Sequence, residues 1–494
     1  MGLEVFEPII NVLPEVKPPL RAPPLREKLF WTATALILFF IMYHVYPIGV
    51  IRVSGHFEFL QMIMASKTGT IITAGIGPIV LASIFLQLFV GSKIIEMDLS
   101  DPRQKRIFTG TQKLLAIVLC FIEPAMYVIS GYVRVYGMPD PLTGSVLYPP
   151  LLGSLHFTMA IVILQMALGS IILLYLDELV SRYGIGSGIS LFIAAGVSLA
   201  IVQGTLSLLL PGAISQLKEG GANAVANALL SFLPLVFTLA VFAACAYAEG
   251  MKVEIPLAFE RARGVGGRFP IKFLYVSNIP VILASALMLN IQLWGRMIAS
   301  TQFYIGGVNI IDYIVRSDGN TIRDGFLYFI TPSFPNPIII GTTDSGFNSV
   351  KGYTTYLAML SGTTPYTNIP ELFHVITYAI TMVILCVIFG WFWIDTTGMG
   401  PKDVAEQLKK SGLQIPGFRR DPRVIEKVLE RYIPVITILG SAFVGILAVF
   451  ADLTGALGTG TGVLLTVGLL FRMYEDLSAQ HLFDLYPEFK NILS

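Results

Sequence analysis

Five histidines and three cysteines are the side chains here best suited to hold a metal or attack a bond, and their spacing supports neither. His44, His56, His156, His374 and His481 are scattered singly. No His-Glu-x-x-His or similar pair sets two imidazoles on one helix face, as zinc chemistry requires. Cys120, Cys245 and Cys386 each lie inside an apolar run, without metal or redox spacing, and read as small buried hydrophobes. The glycines from Gly455 to Gly462 are not followed by Lys-Ser or Lys-Thr, so they mark a tight turn and not a phosphate loop. Gly186-Ser187-Gly188 lacks the further glycine that a nucleophile elbow places after its serine. Glu123 is the one clear acid near the middle of an apolar segment, and Gln87, Gln165, Gln203 and Asn290 add scattered polarity. These residues make no catalytic, metal-binding or nucleotide-binding constellation.

The elements that would position them are membrane spans. Of 494 residues, 54% are hydrophobic and 13% charged, and the mean hydropathy is +0.72. Soluble domains carry about 25% charged residues. Disorder needs low hydrophobicity and high net charge, and the net charge here is +1. Stretches long enough to cross a bilayer and almost free of charge run from Leu29 to Tyr46, Thr68 to Ser92, Leu114 to Val133, Leu155 to Leu176 and Ile189 to Leu210. They continue with Ala226 to Tyr247, Phe273 to Trp294, Leu372 to Ile394, Tyr432 to Ala451 and Leu453 to Phe471. Runs so long and uniformly apolar exclude a barrel of alternating strands. The fold class is therefore an all-α integral membrane protein with ten transmembrane helices.

Ten spans place both termini on one side. That side collects 25 of the lysines and arginines and the other 8, so the positive-inside rule makes the termini cytoplasmic. Residues 1–28 have acids and prolines where a signal peptide has an apolar core. Their Leu3, Phe6, Ile10 and Leu13 fit either a surface amphipathic helix or an ordered Pro-rich tail. Spans one to five occupy 29–215, and spans six to ten occupy 216–471, with cytoplasmic loops 249–272 and 395–431, an external loop 296–369 and a tail 472–494. TPSFPNP in the external loop reads as irregular structure. Before span two, an apolar piece at about 57–66 is too short to cross and reads as a re-entrant half-helix. Span two carries Gly75-Ile76-Gly77-Pro78 and span seven Ser277-Asn278-Ile279-Pro280, with Pro280 expected to free the carbonyl of Val276. Interruptions at matching places in two halves of five point to a central pathway between inverted repeats. A secondary transporter would share that design, but it needs ionisable groups at the midplane, and none stands there beyond Glu123.

Four motifs together are more specific: ITAGIGPIV in span two, YGIGSGISLFIAAGVS from Tyr183, FPIKFLYVSNIPVILASAL from Phe269, and GTGVLLTV from Gly460 followed by Arg472-Met473-Tyr474-Glu475. They resemble the SecY family in its archaeal form, the central subunit of the protein-conducting translocation channel. The resemblance runs along nearly the whole chain and is loosest from Arg296 to about Ile369. It implies two pseudo-symmetric halves closing like a clamshell around an hourglass pore. The family's pore ring falls on Ile76, Val80, Ile189, Ile193, Ile282 and Leu465, with Val463 and Leu464 close competitors for the last. A narrow aliphatic collar holds no ion's hydration shell and gates by dewetting. The family's plug falls on Phe57, Glu58, Phe59, Leu60, Gln61, Met62, Ile63 and Met64. Its lateral gate, between spans two and three and spans seven and eight, brings in Glu123 and Asn278, expected to hydrogen-bond one another.

The family's ribosome-docking loops correspond to a hairpin around Gly264-Val265-Gly266-Gly267 and to a helix from Pro401 to Lys410 followed by Gly417-Phe418-Arg419-Arg420. Arg263, Arg268, Arg419 and Arg420 are the expected RNA contacts there. Implied partners are a SecE-like γ subunit, the archaeal β subunit, the ribosome, signal sequences and nascent chains, the signal recognition particle receptor and membrane lipids. No enzymatic activity, cofactor or metal is implied. The expected location is the plasma membrane.

Overall fold

A computed structural model describes the chain apart from residues 1–6, 22, 52–66, 68, 93, 96, 98–100, 140–145, 147, 221–222, 260–265, 300–303, 306–307, 319–320, 333–336, 338–341, 344–345, 348, 365, 411–412, 415–421, 459 and 486–494. Each expected span has its helix. In the first half these are α1 (Leu25–His44), α2 (Gly77–Gly91), α3 (Pro102–Ile129), α4 (Leu155–Tyr183) and α5 (Gly188–Gly204). In the second they are α6 (Leu233–Gly250), α7 (Ile279–Ala299), α8 (Glu371–Thr397), α9 (Pro422–Thr454) and α10 (Gly460–Leu485). Among the described residues, 7 helices are long and apolar enough to cross a membrane, and α2 is apolar but shorter, at 15 residues.

Several helices outrun their apolar stretches, because a helix continues into water wherever caps and propensity allow. α3 starts at Pro102, ahead of the charge-free run at Leu114; Pro102 suits a first turn, and the Asp101 side chain accepts from the Arg103 N–H at 3.0 Å. α9 absorbs the separate helix expected from Val424 to Tyr432, and α10 runs past Phe471 to Leu485. α8 stops where Gly398 turns left-handed (φ 68°), and the short helix Pro401–Lys410 forms as expected.

Spans two and seven depart from the sequence reading in a shared way. They are not helices broken in the middle; turns lead in, and helix begins at Gly77 and at Ile279. Pro78 and Pro280 therefore sit in a first turn, where a missing N–H breaks no helical bond, and Pro280 does not free the Val276 carbonyl as expected. The two lead-ins match residue for residue. Gly75 is left-handed at φ 56° and Ser277 at φ 55°. At Gly169 of α4 a Cβ would lie 2.3 Å from the Ile71 carbonyl oxygen, and at Gly440 of α9 one would lie 2.6 Å from that of Phe273. Ile71, Gly75 and Pro78 have the spacing of Phe273, Ser277 and Pro280, and α4 and α9 hold corresponding places in the halves.

One buried apolar cluster takes side chains from all ten helices, among them Phe39, Ile84, Ala116, Leu173, Phe192, Cys245, Val281, Phe389, Val444 and Leu464. On the side of the α6–α7 loop, strands β1 (Lys252–Phe259) and β2 (Gly266–Lys272) pair antiparallel, with Lys252 opposite Lys272. The short strand Leu413–Gln414 adds to β1, so the two loops with expected docking roles share one sheet.

Among the described residues, the long α7–α8 loop carries three two-stranded hairpins and short helices; of TPSFPNP, the stretch expected to be irregular, residues 333–336 lie outside the described residues. The loop docks on α8. The Tyr328 hydroxyl donates to Glu371 at 2.6 Å, while the His374 ring bonds Glu371 at 2.8 Å and the Thr331 carbonyl at 3.0 Å. Burial, and then the bond to Glu371, push the Tyr328 hydroxyl well above the usual tyrosine range.

Candidate functional site

A cavity of about 330 Å³ lies where α2, α5, α7 and α10 converge. Val80, Ile189, Ile282 and Leu465, one from each of these helices, line it. Ile76 and Ile193, the other expected collar residues, are not in its lining; they are buried in the central apolar cluster together with Val80, Ile282 and Leu465. Among the three candidates on α10, Leu465 faces the cavity, while Val463 packs with Val241, Ala451 and Ala456 in a separate cluster. The rest of the lining is apolar, glycine, serine, Gln112, Asn278 or Trp393, and among the described residues no acid, lysine, arginine or histidine is in it.

Local contacts set the registers of these helices. α5 begins after Gly186, left-handed at φ 72°, and the Asp177 carboxylate of α4 accepts from the Ile189 N–H at 2.8 Å. At Gly188 a Cβ would lie 2.5 Å from the Asp177 Cα, so only glycine allows this approach. On the other side, Ser285 of α7 and Thr461 of α10 share a hydrogen bond of 2.9 Å. Sequence reasoning passed over Asp177, Ser285 and Thr461. Only Asp177 carried a local signal, as an acid close to the glycines that open α5.

The two expected gate residues are both buried, yet the hydrogen bond expected between them is not formed. Asn278 Nδ2 donates to the Leu464 carbonyl of α10 at 2.5 Å, and the Tyr127 hydroxyl donates to Glu123 at 3.5 Å. Among the described residues, Glu123 Oε1 and Asn278 Oδ1 have no hydrogen-bond partner. Gly468 explains the choice made by Asn278. A Cβ there would lie 2.5 Å from Asn278 Nδ2, so a glycine one turn beyond Leu464 opens the space the amide fills. Helices of the two halves approach closely around these residues. At Gly91 of α2 a Cβ would meet the Phe392 ring of α8 at 2.5 Å, and Gln112 of α3 and Trp393 of α8 both line the cavity.

Other expected positions are less informative. The plug stretch Phe57 to Met64 lies outside the described residues, as do Arg263, Arg419 and Arg420. Arg268 stands on β2 opposite Pro256 of β1.

The family model for SecY matches residues 70–474, most of the chain. The chain belongs to the SecY family. It is 44% identical over 496 residues to the protein translocase subunit SecY of Methanocaldococcus jannaschii, covering 99% of each chain. A solved structure described as that of a protein conducting channel superposes with a TM-score of 0.74 at 42% identity, covering 97% of this chain and 98% of the other. The Sec61 chain of a canine ribosome–channel complex from the endoplasmic reticulum gives a TM-score of 0.71 at 41% identity, over 97% and 98%. In this SecY chain, the motifs around Gly75, Gly186, Asn278 and Gly460 all border the cavity or lead directly into the helices that line it.

Proposed function

We infer that this chain is the central subunit of a protein-conducting channel, passing secretory polypeptides across the membrane and releasing transmembrane segments sideways into lipid. The observation that carries the reading is a cavity uncharged among the described residues and fronted by aliphatic side chains from all four of α2, α5, α7 and α10. Such a surface binds no ion and no defined solute, but branched side chains can change rotamer around any peptide. Ile76, Val80, Ile189, Ile193, Ile282 and Leu465 form the collar, with residues 57–64 as its plug. The seam between α2/α3 and α7/α8 is the lateral gate; Asn278 bonds Leu464 of α10 within its own half and so fixes the α7 side of the gate rather than bridging to Glu123. A segment leaving through it partitions by its own transfer energy, leucine favourably and lysine unfavourably.

All ten helices cross the plasma membrane, with both termini in the cytoplasm. Arg263, Arg268, Arg419 and Arg420 meet ribosomal RNA, and the two loops that carry them share one sheet. A SecE-like subunit, a β subunit and the signal recognition particle receptor complete the working assembly. A secondary transporter is the competing class, and it needs a charged group in the cavity lining, where the described residues supply none.

The test is a photo-cross-linker at Ile193 in ribosome-bound channels carrying a stalled nascent secretory chain. The expected result is a covalent adduct that disappears when the chain is released with puromycin. A channel that yields no adduct from Ile193 or from Ile282 would overturn the reading.

A further inference from the structure

We propose that residues 7–17 form a strap yoking α3 to α4, and that Lys113 and Glu178 are positioning residues making the gate helix and the pore helix α5 move as one body. The inference rests on the gate reading above. On α3, Arg103, Arg106, Gly110 and Lys113 recur at helical intervals and form one face. The strap follows that face in the same direction. Glu7 pairs with Arg103 at 3.1 Å, and the Asn11 side chain accepts from Arg106 at 3.3 Å. Ile10 is buried against Gly110, where a Cβ would lie 2.3 Å from its Cγ2. The Pro14 carbonyl accepts from Lys113 Nζ at 2.6 Å.

The strap then crosses to the end of α4. Arg182 donates to the Val16 carbonyl and lies 3.8 Å from the Glu15 carboxylate. The Tyr183 hydroxyl donates to the Lys17 carbonyl at 2.8 Å.

Beneath it the two helices are joined directly. Glu178 of α4 takes Lys113 on one oxygen and Arg182 on the other, each at 2.8 Å. The side chains of Lys113 and Glu178 are 14% and 16% exposed, so this pair is shielded from the water and salt that weaken surface pairs. Glu178 follows Asp177, whose carboxylate fixes the first turn of α5 through the Ile189 N–H. Lys113 follows Gln112, which lines the gate cavity. A continuous set of bonds therefore runs from the gate face of α3, through Lys113, Glu178 and Asp177, to the α5 turn carrying Ile189. With it intact, α3 cannot move away from α8 without carrying the collar residues of α5. With it cut, α3 can peel off alone, opening the gate while the collar stays shut.

The test uses the complete channel complex in proteoliposomes with two reporters, a secretory protein that must cross and a single-span protein that must leave through the gate. Lys113→Gln and Tyr183→Phe should each lower the ratio of crossing to insertion, Lys113→Gln about fivefold or more. Lys113→Arg, which keeps the charge on Glu178, should hold the wild-type ratio. An unchanged ratio in Lys113→Gln, or a parallel fall of both activities, would overturn the coupling. Insertion by the wild-type channel that ignores the hydrophobicity of the single-span reporter would instead overturn the gate reading itself.

Discussion

The lead-ins to α2 and α7 have one shape and two energetic characters. In both, a carbonyl presses on a glycine of the corresponding helix, α4 or α9, then a residue turns left-handed, then a proline opens the helix. In the first half the left-handed residue is Gly75, which adopts that conformation without penalty. In the second it is Ser277, whose Cβ makes the same conformation unfavourable by about 1–2 kcal/mol. The strained copy is the one tied down by side-chain bonds: Asn278 reaches the Leu464 carbonyl, and the Tyr275 hydroxyl reaches the Met399 carbonyl at 2.9 Å. Among the described residues, the relaxed copy has side-chain bonds only within its own turn, where Thr70 donates to the Lys67 carbonyl at 2.7 Å and Thr73 to the Thr70 carbonyl at 2.6 Å. The strained copy keeps its shape while those bonds last, which makes it the better place to read out an arriving segment.

The largest effect should come from the feature the copies share. Gly169→Ala and Gly440→Ala each force a methyl group onto backbone, and each should lower stability by about 1–3 kcal/mol. Thermal unfolding followed by a thiol-reactive dye would show it, because Cys120, Cys245 and Cys386 are all buried until the helices part. If only one variant is destabilised, the equivalence of the two halves is broken at that point. Exchanging the left-handed residues comes next. Ser277→Gly should raise stability by about 1 kcal/mol and Gly75→Ser should lower it by about as much, in the same dye assay. Equal and null shifts would mean that Ser277 carries no strain.

Asn278→Leu should give the smallest change, about 0.6 kcal/mol. Removing a bond to Leu464 also removes an amide oxygen that has no partner. Its signature is functional: reporters with weaker signal segments should cross, and an unaltered hydrophobicity threshold would detach Asn278 from gating.

Much of this was readable in the sequence because membrane spans are written in local composition. Charge-free runs located all ten helices, and Gly75 to Pro78 with Ser277 to Pro280 marked both lead-ins. Local pattern misled where physics is local but position matters. Proline was read as an interruption, when the first turn is where it fits. What stayed hidden depends on contacts between distant segments. Asn278 looked like a partner for Glu123 because both are polar and on gate helices; the space beside Gly468 decided otherwise. Leu3, Phe6, Ile10 and Leu13 fitted either a surface helix or an ordered Pro-rich tail; among the described residues before Leu25, helix is only the single turn Glu7–Ile10. The chain that follows reads as a strap only once Lys113, Glu178 and Arg182 are seen together.

The apolar cluster to which every helix contributes has a consequence for what occupies the channel. In most proteins the surfaces that hold the fold together are sealed for good, and ligands bind elsewhere. Here Val80, Ile282 and Leu465 belong to the folding core and also front the cavity. In the pore proposed above, a polypeptide in transit takes a place among core residues, and a hydrophobic one replaces the contacts it displaces. Signal strength then becomes a question of how well a visitor completes this protein's interior, and an empty channel closes for the same reason that it folds.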